Sequence, residues 1–166
     1  MVTLEKMHKQ YEMAELRRED LLESPSEMFR SWFEKIEDSE NIEANAATLA
    51  TSSKKGKPSS RTVLVKEYDG RGFVFYTNYK SKKGRQIEIN PYGSLTFFWP
   101  EFERQIRIRG KMRKVSRKQS EKYFHSRPRL SQISVLASHQ SETLENREQL
   151  VKKVEKLEKI YEGKEI

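Results

Sequence analysis

Four cations carry the first hint of chemistry in this chain: Arg61, Lys66, Lys82 and Lys83. Arg61 and Lys66 bracket the β-branched run Thr62, Val63, Leu64 and Val65, which suits a strand with Lys66 at its exit. Lys82 and Lys83 follow Ser81, a residue type that caps helices, so both fall in the first turn of a short helix. The N–H groups of such a turn lack helical partners and, with two lysines beside them, favour a phosphate. Arg61 on a neighbouring strand would close that site from another side. The competing account is that basic residues near turns are solvated surface. A nucleophilic thiol is excluded, because the chain has no cysteine, and no His/Asp/Glu spacing suggests a metal site. His125 and His139 are of a type that titrates near neutral pH, which makes them general-base candidates.

The elements that must position these groups follow from local pattern. Residues 1–23 are charged with sparse apolar positions and make an N-terminal arm, expected to be mobile without a partner. From residue 24 to 166 the chain is expected to form one domain. Ser24, Pro25 and Glu27 make a capping box with proline at the first helical position. Phe29, Trp32, Phe33 and Ile36 then repeat as one apolar helical stripe. Residues 44–53 form a strand of small residues, and 54–58 a turn before the Arg61 strand. Asp69, Gly70 and Gly72 supply the next turn, and residues 73–77, including Tyr76 and Thr77, a further strand.

Asn90-Pro91 stops the Ser81 helix, and residues 94–99 form an aromatic strand closed by Pro100. Over residues 104–115 the period is two, with Ile106, Ile108, Gly110 and Met112 on one face. Gln105, Arg107, Arg109, Lys111 and Arg113 occupy the other. Ser116 opens a helix through Tyr123; residues 127–131 are expected as a basic loop, and 133–138 as a short helix or strand. Ser141 is expected to start a last helix with Leu144, Val151, Val154, Leu157 and Tyr161 as its apolar side. Short strands with interspersed helices predict an α+β fold built on an antiparallel, Greek-key-like barrel with peripheral helices.

Composition narrows the partners. With 33 Lys+Arg against 25 Asp+Glu the formal charge is +8, which favours anionic ligands. The hydrophobic fraction of 34% is low for a compact monomer of this length, and part of the shortfall lies in the charged ends, which are expected either to be partly mobile or to pack on another subunit. The N-terminus has no apolar run of signal-peptide length and no stretch approaches a membrane span, so a cytoplasmic protein without membrane contact is expected. A nucleic-acid binder using the Arg107, Arg109, Lys111 and Arg113 face is the weakest reading, because no recognised docking motif accompanies it.

Six segments carry a resemblance: residues 61–66, 75–78, 81–84, 103–105, 122–133 (KYFHSRPRLSQI) and 139–141. In order and rough spacing they closely resemble pyridoxamine 5′-phosphate oxidase, from about Leu16 onward. The resemblance implies an FMN-binding split β-barrel that works as a homodimer with the flavin at the interface. It implies oxidation of pyridoxamine or pyridoxine 5′-phosphate to pyridoxal 5′-phosphate, with O2 re-oxidising the flavin. Carried over by motif, Arg61, Lys82 and Lys83 hold the FMN phosphate, with residues 61–66, Tyr76 and Thr77 along the cofactor. Gln105 contacts the flavin ring, and Gln140 with Ser141 contacts FMN from the other subunit. Lys66, Tyr123, Arg127 and Ser131 grip the substrate phosphate, with Tyr11 as a lid. No side chain is assigned nucleophilic catalysis. His125 and His139 sit beside functional positions in their motifs, which favours a structural role.

The chain departs from the family at four places. Lys82 stands where arginine is usual, His8 where an arginine precedes the lid tyrosine, and residues 133–137 (ISVLA) differ from the usual Ile-Gly-Ala start. The family continues beyond residue 166 with a Trp-Gly-Gly segment, further strands and an Arg-Leu-His-Asp-Arg motif at the substrate ring. An exposed sheet edge is therefore expected, and so is a second functional reading: a protein that binds FMN or pyridoxal phosphate with little oxidase turnover.

Overall fold

The computed structural model describes residues 10–13, 15–39 and 43–166, so His8 lies outside the described residues. Helix α1 spans Pro25–Glu37, strand β1 Ala46–Ser52, β2 Pro58–Asp69, β3 Gly72–Phe75 and helix α2 Lys82–Ile89. Strands β4 (Tyr92–Trp99) and β5 (Arg104–Lys111) follow, then helices α3 (Arg117–Ser126), α4 (Arg129–Ala137) and α5 (Arg147–Tyr161). Ahead of α1 the chain makes one 3-10 turn, Arg18–Asp20, and the backbone N–H groups of Glu12 and Met13 both donate to the Glu103 carboxylate, at 2.8 and 2.9 Å.

All strand pairings are antiparallel, in the order β3-β2-β1-β4-β5. The first three strands are joined by short turns, and β4 returns after α2 to lie beside β1. That order is the Greek key. It puts the start of α2 near β2 although some twenty residues of chain separate Arg61 from Lys82. Pairing slips between Val65 and Glu67, a bulge that bends β2 so that its far half can pair with β3. The sheet curls without closing: β3 and β5 are its two ends, each paired on one side only.

The core is aromatic. Phe29 meets the rings of Phe33, Tyr68, Phe73, Phe97 and Trp99 with centroids 4.8–6.3 Å apart. Phe97 and Trp99 alternate on the inner face of β4, and both are fully buried. The polar tips of this cluster are satisfied: Trp99 Nε1–H donates to the Ala44 carbonyl at 3.0 Å, and Tyr68 O–H to the Ser26 carbonyl at 2.9 Å. The Tyr68–Ser26 bond and the reciprocal Ser24–Glu27 cap set where α1 begins and tie its first turn to β2. Arg104 stacks over Trp32 at 4.6 Å and ties the far side of α1 to β5.

Two local expectations fail. Residues 127–131 are not a loop: Arg127 caps α3 and α4 starts at Arg129, because proline restricts the residue before it but is well suited to begin a helix itself. Ser141 does not start the last helix. The cap is Asn146 instead, whose Oδ1 accepts the backbone N–H of Gln149 at 2.9 Å. Ser141 instead takes a left-handed backbone, φ 72°, and Leu144 and Val151 are exposed. Leu150, Val154, Leu157 and Tyr161 form the half-buried side of α5, which packs on α4.

Phe29→Ala removes the ring shared by five neighbours and is expected to cost about 3–5 kcal/mol. The measurement is the denaturant midpoint at unchanged slope; a loss below about 1 kcal/mol would mean that α1 does not anchor the core.

Candidate functional site

Strand β2 and helix α2 bring two cations together at one end of the sheet. Lys83 lies in the first turn of α2 and is buried, with Nζ donating to Gln140 Oε1 at 2.9 Å, Thr77 Oγ1 at 3.0 Å and Ser81 Oγ at 3.4 Å. Arg61 is half-buried; Nη1 donates to Thr51 Oγ1 at 2.6 Å and the Leu49 carbonyl at 3.2 Å, and Nη2 to Ser59 Oγ at 2.9 Å. Every one of those acceptors is neutral. Among the described residues no carboxylate pairs with either cation. Burial pulls the Lys83 ammonium below the ordinary lysine pKa, and repulsion from Arg61 adds to the same direction. Burial also lowers Arg61.

The helix start that holds Lys83 is tightly made. Ser81 is completely buried and accepts the Gly84 N–H at 3.3 Å. A side chain at Gly84 would bring a Cβ within 2.1 Å of the Tyr79 carbonyl oxygen, so only glycine lets the helix lie so close to the preceding turn. Lys82, by contrast, is exposed, and it lines the adjoining cleft.

An open cleft of about 1940 Å³ runs from these cations to α3. It is larger than the roughly 300–1,000 Å³ of ordinary small-molecule pockets. Lys66, Tyr76, Thr77, Tyr123, Arg127, Gln140 and Ser141 line it together with residues 61–64. The bulge of β2 leaves both Lys66 and Glu67 on the exposed side, which simple alternation would not do. Glu67 then binds across the cleft: it accepts from the Tyr76 hydroxyl and from Gln119 Nε2, the latter at 2.7 Å. Tyr76 and Tyr123 stack face to face, 3.8 Å apart and 5° from parallel. Burial first, then the Glu67 bond, pushes the Tyr76 hydroxyl up to about 12, so it stays a neutral donor.

Four sequence-assigned residues lie elsewhere. Val65 is in the core, so its side chain cannot reach a ligand. Gln105 is exposed on β5, three strands from β2. Ser131 is in the first turn of α4 and Tyr11 on the exposed N-terminal segment, and neither lines the cleft. Gln140, expected to reach a cofactor from another subunit, bonds Lys83 of its own chain. His125 faces Glu165 at 3.6 Å on the surface and His139 is exposed. The sequence reading missed Thr51, Ser59, Gln86, Glu67 and Gln119; small hydroxyl and amide side chains carry no periodic signal. Among the described residues no helix is long and apolar enough to cross a membrane, and no cluster of His, Asp or Glu is placed to hold a metal.

The model of the family described as pyridoxamine 5′-phosphate oxidase matches residues 34–161. This chain belongs to the pyridoxamine 5′-phosphate oxidase family. Among its family relatives, the pyridoxine/pyridoxamine 5′-phosphate oxidase of Leptospira interrogans serovar copenhageni is 47% identical over 163 residues, 98% of this chain and 76% of that protein. The protein of the same name from Paraburkholderia phytofirmans is 45% identical over 150 residues, 90% of this chain and 70% of that one. The fold matches PhzG from Burkholderia lata 383 in complex with tetrahydrophenazine-1-carboxylic acid, with a TM-score of 0.83 and 28% identity over 89% of this chain and 72% of that one. An FMN-binding relative from Nostoc punctiforme matches in fold alone, with a TM-score of 0.61 at 15% identity, over 79% of this chain and 73% of that one. The curled, open antiparallel sheet is thus the split barrel of the oxidase family. Membership does not by itself fix the substrate, since PhzG holds a different kind of molecule.

Lys83→Met keeps the length and removes the uncompensated charge. The ligand-free variant is expected to be as stable as the parent to within about 1 kcal/mol. Because the folded-state pKa of Lys83 is lowered, its penalty is full below that pKa. The penalty is relieved as pH rises from there toward the ordinary value near 10.5. Chemical denaturation across that window should show the parent gaining stability on the variant; an opposite slope would mean that Lys83 has a hidden counter-charge.

Proposed function

We propose that this chain binds FMN with its phosphate between Arg61 and Lys83 and oxidises pyridoxamine or pyridoxine 5′-phosphate to pyridoxal 5′-phosphate. The observation that carries the reading is a pair of neighbouring cations, Lys83 buried and Arg61 half-buried, with only neutral partners among the described residues. Bringing like charges together out of water is costly unless an anion joins them. A phosphate dianion meets that need, and the planar guanidinium offers it paired donors. Exposed Lys82 adds charge at the helix start without a fork. The stretch 61–64, Tyr76 and Thr77 line the adjoining cleft, where the rest of the cofactor would lie.

Held there by Arg61 and Lys83, FMN would supply the acceptor for a hydride equivalent from the substrate, with O2 as the final electron acceptor. The protein supplies placement. Lys66, Tyr123 and Arg127 line the other part of the cleft and hold the substrate phosphate, Lys66 as a point charge and Arg127 as a fork. Tyr76, kept a neutral donor by burial and by its bond to Glu67, stacks parallel to Tyr123 and so sets the width of that part. Gln105, Ser131 and Tyr11 join the site, on this reading, from or beside a second copy in a homodimer. The protein works in the cytoplasm.

A second reading has one observation behind it: three residues assigned to substrate or ring contact lie outside the cleft of a single chain. On that reading the protein holds FMN or pyridoxal phosphate and turns over slowly. A visible spectrum of the purified protein, followed by addition of pyridoxamine 5′-phosphate under air, separates the two. Yellow protein that forms pyridoxal phosphate supports the oxidase; yellow protein that does not supports the binder; colourless protein that refuses added FMN ends both.

Arg61→Ala is expected to weaken FMN binding by about 1.5–3 kcal/mol, the worth of a charge-assisted hydrogen bond. Flavin retained in full by that variant would contradict the assignment. Arg127→Ala should raise KM for the phosphorylated substrate while leaving FMN content alone; loss of flavin would mean that the two phosphate sites are interchanged.

A further inference from the structure

We infer that Gln86, acting through the hydroxyls of Thr51 and Ser59, is a positioning residue that aims Arg61 at the phosphate of the cofactor. The inference rests on the proposed FMN site and adds a layer behind it. Gln86 lies three residues after Lys83 on α2, so both side chains leave the same face of the helix. It is buried, and its Oε1 accepts from Thr51 Oγ1 at 2.7 Å and from Ser59 Oγ at 2.8 Å. Thr51 is equally buried, and neither Thr51 nor Gln86 lines the cleft.

With Gln86 presenting its Oε1, the direction of each bond in this cluster follows. A hydroxyl has one hydrogen to give, and both hydroxyls give theirs to Gln86. Their lone pairs are thereby left to accept from Arg61, Thr51 from Nη1 and Ser59 from Nη2. The Leu49 carbonyl takes the second Nη1 hydrogen. Of the five N–H donors of a guanidinium, the Nε–H and one Nη2–H remain without an acceptor among the described residues. These adjacent donors are the pair that can grip two oxygens of one phosphate. Without the amide acceptor, the two hydroxyls would be free to turn their hydrogens elsewhere, and the guanidinium would lose its fixed plane. The amide is also neutral. A carboxylate in its place would accept the same two bonds but set a negative charge behind Arg61, in competition with the phosphate.

The test compares FMN with riboflavin, which has the same ring and no phosphate, on the full chain stripped of flavin. Gln86→Leu and Gln86→Glu are expected to weaken FMN about tenfold or more, and to leave riboflavin affinity where it was. Ser59→Ala, which removes one hydroxyl at a half-buried strand position, should move the FMN-to-riboflavin ratio in the same direction by a smaller factor, and keeps the test alive if the Gln86 variants do not fold. Equal weakening of both flavins, or an unchanged ratio in all three variants, would overturn the inference and leave the phosphate site standing. A parent protein that binds riboflavin as tightly as FMN would instead remove the phosphate site, and the role of Gln86 with it.

Discussion

Arg61 and Lys83 are like charges, one half-buried and one buried, with no carboxylate partner among the described residues, and the rest of the molecule is arranged to keep them so. A free chain would swing two such side chains apart and hydrate them. Here that escape is closed. Arg61 is fastened to its neighbour strand through Leu49 and Thr51, and Lys83 is enclosed by Thr77, Ser81 and Gln140. The folded state carries the electrostatic penalty in advance, so an arriving anion meets donors already in place rather than donors it must first order.

That arrangement needs a particular topology. A hairpin alone would give β1 and β2, hence Arg61, Thr51 and Ser59, but nothing to face them. The Greek-key return to β4 sends the chain across the end of the sheet, and α2 is the piece that crosses. Helix α2 is short, so its position depends on its ends: the buried Ser81 cap, the close approach at Gly84 and the Asn90 side chain donating to Ser52 Oγ at 2.8 Å. The aromatic core under α1 holds the strands at their spacing from the other side. Stability and site geometry therefore come from separate clusters, one apolar and one polar, that share the same strands.

Much of this was legible in residue order. The Ser24–Glu27 box, the stripe through Phe29 and Ile36, the Ser81 and Ser116 caps and the two-residue period of β5 are local signals, and each appears in the structure where its chemistry places it. Residue types suggested that Arg61 on a neighbouring strand would face the Lys83 helix start, but no local rule brings a strand and a later helix together, and likeness to a family is what singled out the pair. The bulge after Val65 left no mark, having no glycine to announce it, and so Glu67 went unnoticed. Proline misled at Arg127, where it leads into α4 rather than a loop, and serine misled at residue 141, where Asn146 caps the last helix instead. The Thr51–Ser59–Gln86 cluster is invisible in one dimension, since each member is an ordinary polar residue until the fold buries it.

The two parts of the cleft are built to different standards, and the difference has a functional logic. The Arg61–Lys83 part rests on β1, β2 and a helix with two buried polar residues, Lys83 and Gln86. Helix α3, which carries Tyr123 and leads to Arg127, has no buried residue. It is joined to the strands by the Gln119–Glu67 bond and the Tyr76–Tyr123 stack. Segments with few buried apolar contacts open at lower free energy than the body they sit on. A cofactor that stays through many turnovers belongs on the rigid part, whereas a substrate that must arrive and leave belongs under the part that yields. Glu67 is the hinge of that division: on a strand of the rigid sheet, it holds Tyr76 beside it and α3 opposite with the same carboxylate.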